Sequence, residues 1–277
     1  MSGYYWLASY PKSGNTWLRL MIQVCLSGAG IDINRISVAP QIGINRRVFD
    51  DAMGVSASDL TPDEVLLWRP AVLRARAANL SKPLILKTHE HRYPLANGDW
   101  LHPPECSLGA VYVVRDPRDV AISLARHLRM TIDRSIEIMA SADMRIAVAP
   151  HRLNISLVDC WGSWSANVGS WLAPGTFPVS VVRFEDLRAD PARELARVLP
   201  NLALSADAAT IAAAVEATAI GKLRAQESVE GFREWKGDGT FFGSGEAGGW
   251  RRKLSAEQAR RIVADHGDVM KRLHYLD

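Results

Sequence analysis

The sequence predicts an α/β protein of three layers, with helices on both faces of a mainly parallel central sheet. Short apolar runs rich in β-forming residues alternate along the chain with longer segments that have helical spacing. Strands that alternate with helices are joined by crossover connections, which make neighbouring strands parallel. The 277 residues, of which 48% are apolar, are enough for one sizeable core. We therefore expect a single domain over residues 1–277.

Four apolar runs are predicted to be buried strands, at residues 4–9, 84–87, 110–114 and 178–183. Each run is short and rich in β-forming residues, as buried strands of such sheets are. Ligands of parallel sheets bind at the carboxyl ends of the strands. The residues that directly follow these runs are therefore the first candidates for a functional site.

Helical spacing marks much of the chain between these strands. In residues 15–26 and 116–128 the apolar side chains recur on one stripe. Thr61, Pro62 and Glu64 provide a capping residue, a proline at the first position and an early carboxylate, which predict a helix start. Further helices are predicted at residues 156–172, 185–198, 206–217 and 255–272.

Two segments, residues 29–60 and 228–254, have no clear period and are predicted to be irregular. The second segment interleaves glycines with aromatic residues such as Phe232, Trp235 and Phe241. A linker would be polar and poor in aromatic residues. We therefore expect residues 228–254 to form an ordered loop that closes over a site.

The composition excludes several classes of protein. The chain has 33 basic and 30 acidic residues, a net charge of +3, without a basic block, so a nucleic-acid partner is not expected. No stretch approaches the ~18 consecutive apolar residues of a membrane span. Cys25, Cys106 and Cys160 lie far apart, which favours neither a disulfide framework nor a structural zinc site. We expect a cytoplasmic protein.

A P-loop-like phosphate site is predicted at the end of the first strand, where residues 10–17 read Tyr-Pro-Lys-Ser-Gly-Asn-Thr-Trp and open a helix. Unpaired backbone N–H groups and the helix dipole bind phosphate at such a turn. Lys12 adds a full charge, and Ser13, Asn15 and Thr16 add side-chain donors. The Walker A pattern is absent, so the loop is of a different subclass. The alternative is an ordinary turn with an exposed lysine.

This octapeptide resembles the 5′-phosphosulfate loop of sulfotransferases that use 3′-phosphoadenosine 5′-phosphosulfate (PAPS). The usual form of that loop has a threonine where Asn15 stands. The resemblance implies that Lys12 contacts the bridging oxygen between phosphate and sulfate. It also implies that the loop backbone binds the 5′-phosphate, through Ser13, Gly14, Asn15, Thr16 and Trp17.

Lys87, Thr88 and His89 follow the second predicted strand. A histidine with a pKa near its usual value of about 6.5 can take a proton from a hydroxyl, although a lone histidine is more often structural than catalytic. His91 raises metal binding as an alternative, but no third ligand lies at suitable spacing, so we expect no metal. The same sulfotransferases have Lys-Thr-His here. The resemblance implies that His89 is the general base and that Lys87 lies near the transferring sulfuryl group.

The segment after the third strand begins with Arg115, and Asp116 is suited to cap the next helix. Arg118 and Asp119 are expected to lie on a solvated face. The segment is similar to the 3′-phosphate motif of the family, which implies that Arg115 and Ser123 contact the 3′-phosphate. The planar fork of an arginine suits that task, because it can give two hydrogen bonds to one phosphate.

Three later segments resemble nucleotide-contacting parts of the family. The first has Phe184 where a tyrosine is usual, and the second, with Thr218 and Ile220, resembles the segment that contacts adenine. The third, from Gly245, resembles a loop that normally begins with Arg-Lys, in whose places this chain has Gly243 and Ser244. Four candidates for replacing that pair are Arg233, Lys236, Arg251 and Arg252.

The resemblance implies in-line transfer of a sulfuryl group from PAPS to a hydroxyl of a small-molecule acceptor, giving a sulfate ester and adenosine 3′,5′-bisphosphate (PAP). The alternatives are an ATP-dependent small-molecule kinase, which would need Mg²⁺, and an inactive nucleotide-binding relative. Residues 162–171 resemble a stretch of bacterial small-molecule sulfotransferases. The sequence leaves two questions open. One is whether the protein forms a homodimer. The other is whether a set of apolar residues and one histidine lines an acceptor pocket or packs in a helical core, which it fits equally: Trp161, Trp164, Trp171, His151, Met130, Met139 and Met144.

Overall fold

The computed structural model describes residues 2–28, 30–148, 154, 156–235, 237, 239–243 and 245–276. It contains six strands within these residues: β1 (Tyr4–Ser9), β2 (Leu84–Thr88), β3 (Ser107–Val114), β4 (Arg145–Ile146), β5 (Asp159–Cys160) and β6 (Val179–Arg183). A parallel sheet of order β2-β1-β3-β6 forms the centre, and β4 pairs with β5 in a small antiparallel ribbon. The prediction of a parallel central sheet is confirmed.

The helices of the described residues are α1 (Asn15–Ser27), α2 (Arg46–Met53), α3 (Pro62–Ala78), α4 (Pro117–Leu128), α5 (Ile132–Ala140), α6 (Trp164–Leu172), α7 (Phe184–Ala189), α8 (Pro191–Val198), α9 (Ala208–Ala217), α10 (Ile220–Glu230) and α11 (Ala256–Arg272). Short 3-10 turns occur at Ala57–Asp59, Pro104–Cys106, Leu199–Leu202 and Gly249–Arg252. The helix start predicted at Thr61 is confirmed, because Thr61 and Glu64 form a reciprocal capping box.

Three predicted boundaries are wrong. Residues 29–60 are not wholly irregular, because they contain α2, whose first turn is capped by the Asn45 side chain. The helix predicted at 185–198 breaks at Asp190, since the residue before a proline disfavours helical dihedrals and Asp190 caps a new helix. The helix predicted at 156–172 begins only at Trp164, after the β5 strand and the Ser163 cap.

Two apolar clusters lie on the two faces of the central sheet and give the three predicted layers. Side chains of β1 alternate between them: Tyr4, Trp6 and Ala8 belong to one cluster, and Leu7 belongs to the other. The first cluster packs against α3, α4, α5, α6 and α11, and the second against α1, α7, α8, α9 and α10. Both faces of the sheet are therefore covered by helices, as all-parallel sheets require.

The strand order places a crevice at the end of β1. β1 pairs with β2 on one side and with β3 on the other, so the chain leaves the centre of the sheet in opposite directions. In open parallel sheets such a reversal leaves a binding crevice beyond the carboxyl ends of the strands. The residues that follow β1, β2 and β3 are thereby brought to one edge.

Candidate active site

A cavity of about 580 Å³ lies at this edge of the sheet. Most residues singled out from the sequence line it: Lys12, Gly14, Asn15, Thr16, Trp17, Lys87, His89, Arg115, Ser123, Phe184, Ile220 and Gly245. Ser13 and Thr218 are buried and do not line the cavity. Residues Phe241–Gly243 and Gly245–Glu246 of the segment 228–254 form part of its wall. The structure thus brings the strand ends and the later segments to one enclosed space.

The loop between β1 and α1 presents backbone N–H groups to the cavity edge. The N–H groups of residues 13 to 16 donate to no other group in the part of the chain that the structure describes. Gly14 has φ 102°, and a Cβ at this position would lie 2.5 Å from a Phe184 ring carbon, so a glycine is needed there. This geometry, at the start of α1, is the one that binds phosphate oxygens.

The side chain of Asn15 points towards the sheet. Its Nδ2 donates to the Leu7 carbonyl at 3.1 Å and to Ser9 Oγ at 3.3 Å. Both amide hydrogens are therefore used inside the protein, and the side-chain donation to a phosphate that the sequence suggested at Asn15 does not fit this arrangement. Asn15 instead ties the loop to β1. Of the three predicted side-chain donors, Thr16 alone lines the cavity without such a commitment.

Phe184 and Trp17 pack beside the loop between β1 and α1. Their rings meet edge to face, with centroids 6.2 Å apart, and the Trp17 Nε1 donates to the Thr218 carbonyl at 2.9 Å. The Thr218 hydroxyl donates to the Ala214 carbonyl at 2.8 Å. Thr218 therefore positions Trp17 and has no surface on the cavity, whereas Ile220 lines it.

Lys12 lies over two aromatic rings of the segment 228–254. Its Nζ is 4.3 Å from the centroid of Phe241 and 4.6 Å from that of Trp235. Burial first, and then the nearby charges of Arg126 and Lys87, together lower the pKa of Lys12 to about 7. An anion bound at this place would favour the protonated lysine. Lys87 is affected similarly, because burial and Arg19 lower its pKa to about 8.

His89 is held in one tautomer. Its Nδ1 is 2.9 Å from the Ser9 carbonyl, which only accepts, so Nδ1 carries the hydrogen and Nε2 keeps its lone pair. Asn167 donates to the His89 carbonyl at 2.9 Å and accepts from the Tyr112 hydroxyl at 2.7 Å, which fixes the backbone of this residue. Burial and the charge of Lys87 hold the pKa of His89 well below its usual value. The imidazole is therefore neutral and able to accept a proton.

Arg115 is anchored at the other side of the cavity. Its Nη2 donates to the Glu246 carbonyl at 2.9 Å, and its guanidinium lies 4.4 Å from the Phe184 ring centroid. Its Nε is buried and has no partner in the described part of the chain. Burial lowers the pKa of Arg115, and Asp119 opposes that effect. Ser123, two turns along α4, lines the same cavity.

The prediction that Arg118 and Asp119 lie on a solvated face is wrong. They are 8% and 4% exposed. Asp119 accepts hydrogen bonds from the backbone N–H groups of Gly248 at 2.7 Å and Trp250 at 2.8 Å. Arg118 donates to Asp116 at 2.7 Å and to the Tyr275 carbonyl at 2.8 Å. These two side chains attach the segment 228–254 and the C-terminal residues to α4.

Three of the predicted replacements for the missing Arg-Lys pair, Arg233, Arg251 and Arg252, do not line the cavity. The fourth, Lys236, lies outside the described residues, as does Ser244, which stands in the place of the lysine. Two cations that the sequence analysis did not single out do line it, namely Arg126 and Lys253. The one available signal for Arg126 was its position three residues after Ser123, on the same face of a helix.

A further part of the cavity wall comes from residues that do not belong to the strand ends or to the segment 228–254. We call it the distal wall, and it consists of Gln41, Ile44, Ile146, Asp159 and Trp161. Burial, together with the charge of Glu90, raises the pKa of Asp159. The other residues left open between a pocket and a core divide differently: Trp164, Trp171 and Met139 are buried in the core, Met130 and Met144 pack against it, and His151 lies outside the described residues.

The described residues contain neither a cluster of metal-binding side chains nor a helix that could span a membrane. No group of three or more histidine, cysteine, aspartate or glutamate side chains is placed to hold a metal ion there. Across the same ranges, none of the helices combines the length and the apolar character needed to cross a membrane. Cys25, Cys106 and Cys160 are all free thiols.

Comparison with known proteins adds a family and a fold. A family profile described as "Sulfotransferase domain" matches residues 4–274. Sulfotransferase 1A1 of Canis lupus familiaris is 24% identical over 283 aligned residues, covering 96% of this chain and 82% of the relative. Mouse sulfotransferase SULT7A1 complexed with PAP has a TM-score of 0.60 at 17% identity, covering 97% of this chain and 84% of that one. Retinol dehydratase in complex with androsterone and PAP has a TM-score of 0.61 at 18% identity, covering 97% and 80%.

Proposed function

The chain belongs to the sulfotransferase domain family, and on that premise we propose that its cavity binds PAPS along the strand ends and uses His89 as the general base. The reaction is the transfer of a sulfuryl group from PAPS to a hydroxyl of a small-molecule acceptor, giving a sulfate ester and PAP. One observation carries the assignment of residues. A single cavity is lined by a loop with unpaired N–H groups, a buried arginine and a neutral histidine.

The residues present fit a nucleotide with several negative charges. The N–H groups of residues 13 to 16 and the start of α1 are suited to the 5′-phosphate. Arg115, with its unpartnered Nε, and Ser123 are suited to the 3′-phosphate. Ile220 and Phe184 offer apolar surface for the base, and Gly245 lets the chain pass close to Ile220. We assign these residues to nucleotide binding.

The proton of the acceptor hydroxyl goes to Nε2 of His89. The Ser9 carbonyl holds the Nδ1 hydrogen, so Nε2 is the free basic atom, and the low pKa of His89 keeps it unprotonated at neutral pH. When bound, PAPS supplies an electrophilic sulfur: the acceptor oxygen bonds to it as the bond from sulfur to the bridging oxygen breaks, and that oxygen keeps the electron pair. The Ser9 carbonyl then stabilises the protonated imidazole.

Lys12 and Lys87 supply fixed positive charge at the reacting end of the cavity. We assign Lys12 to the departing oxygen, where negative charge grows, and Lys87 with Thr16 to the sulfuryl oxygens. The lowered pKa values of both lysines reflect burial first and the charges of neighbouring cations second. An anion there raises both values again, so both lysines are charged when they are needed.

The distal wall is the proposed contact surface for the acceptor. Ile44, Ile146 and Trp161 are apolar, which favours an apolar hydroxyl compound over a sugar or a peptide. The complex of retinol dehydratase with androsterone supports this class of acceptor. The free thiols support a reducing, cytoplasmic location.

The test of this function is mass spectrometry of candidate acceptors incubated with the protein and PAPS. We expect one sulfuryl group to be added to a phenol or sterol alcohol, with PAP as the co-product. Thermal-shift measurements with PAP and with ATP plus Mg²⁺ distinguish sulfuryl transfer from PAPS from phosphoryl transfer from ATP. Stabilisation by ATP plus Mg²⁺ and none by PAP would replace the sulfotransferase assignment with that of a kinase.

A further inference from the structure

Two cations line the cavity without belonging to any of the motifs above, Arg126 near the end of α4 and Lys253 after the turn Gly249–Arg252. We propose that Arg126 is a second guanidinium for the 3′-phosphate and sets the preference for a nucleotide with two phosphates. This inference rests on the proposed function, because it names a further residue of the same nucleotide site. Arg126 and Ser123 lie three residues apart, on one face of α4.

The Arg126 guanidinium lies beside Gly243. A Cβ at Gly243 would lie 3.5 Å from both Nη1 and Nη2 of Arg126, which is ordinary van der Waals contact. Its Nη2 donates to the Thr240 carbonyl at 2.9 Å, the one hydrogen bond it makes within the described ranges. An arginine has five N–H donors. The fork is therefore oriented by one bond and keeps other donors for a ligand.

The charge of Arg126 adds to those of the three cations that are already assigned to the nucleotide. Each phosphomonoester of PAP carries close to two negative charges at neutral pH, so about four must be balanced. Lys12, Lys87 and Arg115 supply three positive charges. Arg126 supplies the fourth.

The other basic residues of this region are used elsewhere. Arg252 donates to Glu246 at 2.5 Å, and Arg251 lies 4.7 Å from the Trp250 ring centroid. Lys253 lines the cavity, but a compact ammonium group cannot form the paired hydrogen bonds that a planar guanidinium gives to one phosphate. Arg126 therefore shares the second phosphate with Arg115.

Calorimetric titration of the full chain with PAP and with adenosine 5′-phosphate tests this inference. We expect Arg126→Ala to weaken the affinity for PAP about tenfold, as loss of a charged hydrogen bond does. Its affinity for adenosine 5′-phosphate should change less than about twofold. Arg134→Ala is the matched control, because Arg134 lies on the surface, pairs with Glu137 at 2.7 Å and does not line the cavity. Arg126→Lys should fall between wild type and Arg126→Ala.

The outcomes distinguish failure of the Arg126 assignment from failure of the proposed function. If the wild type binds PAP and Arg126→Ala loses affinity equally for both nucleotides, or for neither, the assignment of Arg126 to the 3′-phosphate is wrong while the proposed function stands. If the wild type binds neither nucleotide, the proposed function fails and the role of Arg126 fails with it. An unchanged thermal unfolding midpoint in Arg126→Ala ensures that a selective loss reports binding.

Discussion

The strand-end residues of the cavity and the residues of its distal wall are held in different ways. Asn15 is hydrogen-bonded to β1, and Nδ1 of His89 donates to the Ser9 carbonyl of the same strand, so these groups are fixed to the central sheet. The distal wall comes from a segment without helix or strand at Gln41 and Ile44 and from the two-residue strands at Ile146 and Asp159. The comparison indicates that the groups proposed for transfer are fixed by hydrogen bonds to the sheet, whereas the proposed acceptor surface lies on irregular chain and short strands.

The largest effect is expected at the strand end of β2. His89→Ala removes the proton acceptor, and loss of a positioned base lowers kcat by about 10²- to 10⁴-fold. Steady-state rates with PAPS and a fixed acceptor measure this loss. His274→Ala serves as a control, because His274 is exposed and does not line the cavity. A His89→Ala variant that kept most of its rate would remove the base assignment.

Lys12→Ala should give the next largest loss, again among the strand-end residues. The lysine stabilises charge that develops only during transfer, and removal of one such group lowers kcat by about 10²-fold or more. The same rate measurement applies, with Lys222→Ala as the control on an exposed lysine paired to Glu216 at 3.0 Å. Equal rates in Lys12→Ala and Lys222→Ala would show that Lys12 has no role in transfer.

Arg115→Ala should chiefly weaken nucleotide binding. The side chain is anchored to Glu246 and is the proposed ligand of the 3′-phosphate, so its loss should reduce the affinity for PAP about 10- to 100-fold. Calorimetric titration with PAP measures this change, and kcat at saturating PAPS should fall less than in His89→Ala. A variant that bound PAP as the wild type does would place the 3′-phosphate elsewhere.

The smallest expected effect is the uptake of a proton by the protein when PAP binds. Lys12 has a pKa of about 7 in the free protein, so at pH 8 it is mostly neutral, and a bound anion raises the pKa and draws in a proton. We expect PAP binding at pH 8 to take up close to one proton more in the wild type than in Lys12→Ala. Calorimetry in buffers of different ionisation enthalpy measures this number, and the affinity of the wild type for PAP should fall as the pH rises above 7. Identical uptake in both proteins would contradict the lowered pKa.

The strand ends could be predicted because their signals are local. An apolar run, a turn and a helix start within a few residues were enough to place Lys12, His89 and Arg115 at one edge of a parallel sheet. A resemblance over the same short segments supplied their expected roles. Such signals depend only on neighbours in the chain, which a sequence shows directly.

The rest could not be predicted because it depends on contacts distant along the chain. Asp119 is buried by the backbone of Gly248 and Trp250, and Arg118 by the carbonyl of Tyr275, more than a hundred residues later. Without those partners a charged pair in a helix predicts a solvated face. Asn15 is a different case, since its partners Leu7 and Ser9 are near in the chain and its inward orientation depends on how the intervening loop folds back onto β1.

The affinity of His89→Ala for PAP is the measurement that tests most directly whether binding and proton transfer are divided between different strand ends. Calorimetric titration of this variant should give a PAP dissociation constant within about twofold of the wild-type value, because His89 acts on the acceptor proton and contributes no phosphate contact. A loss of affinity as large as that expected for Arg115→Ala would contradict the division, since His89 would then be part of the nucleotide site.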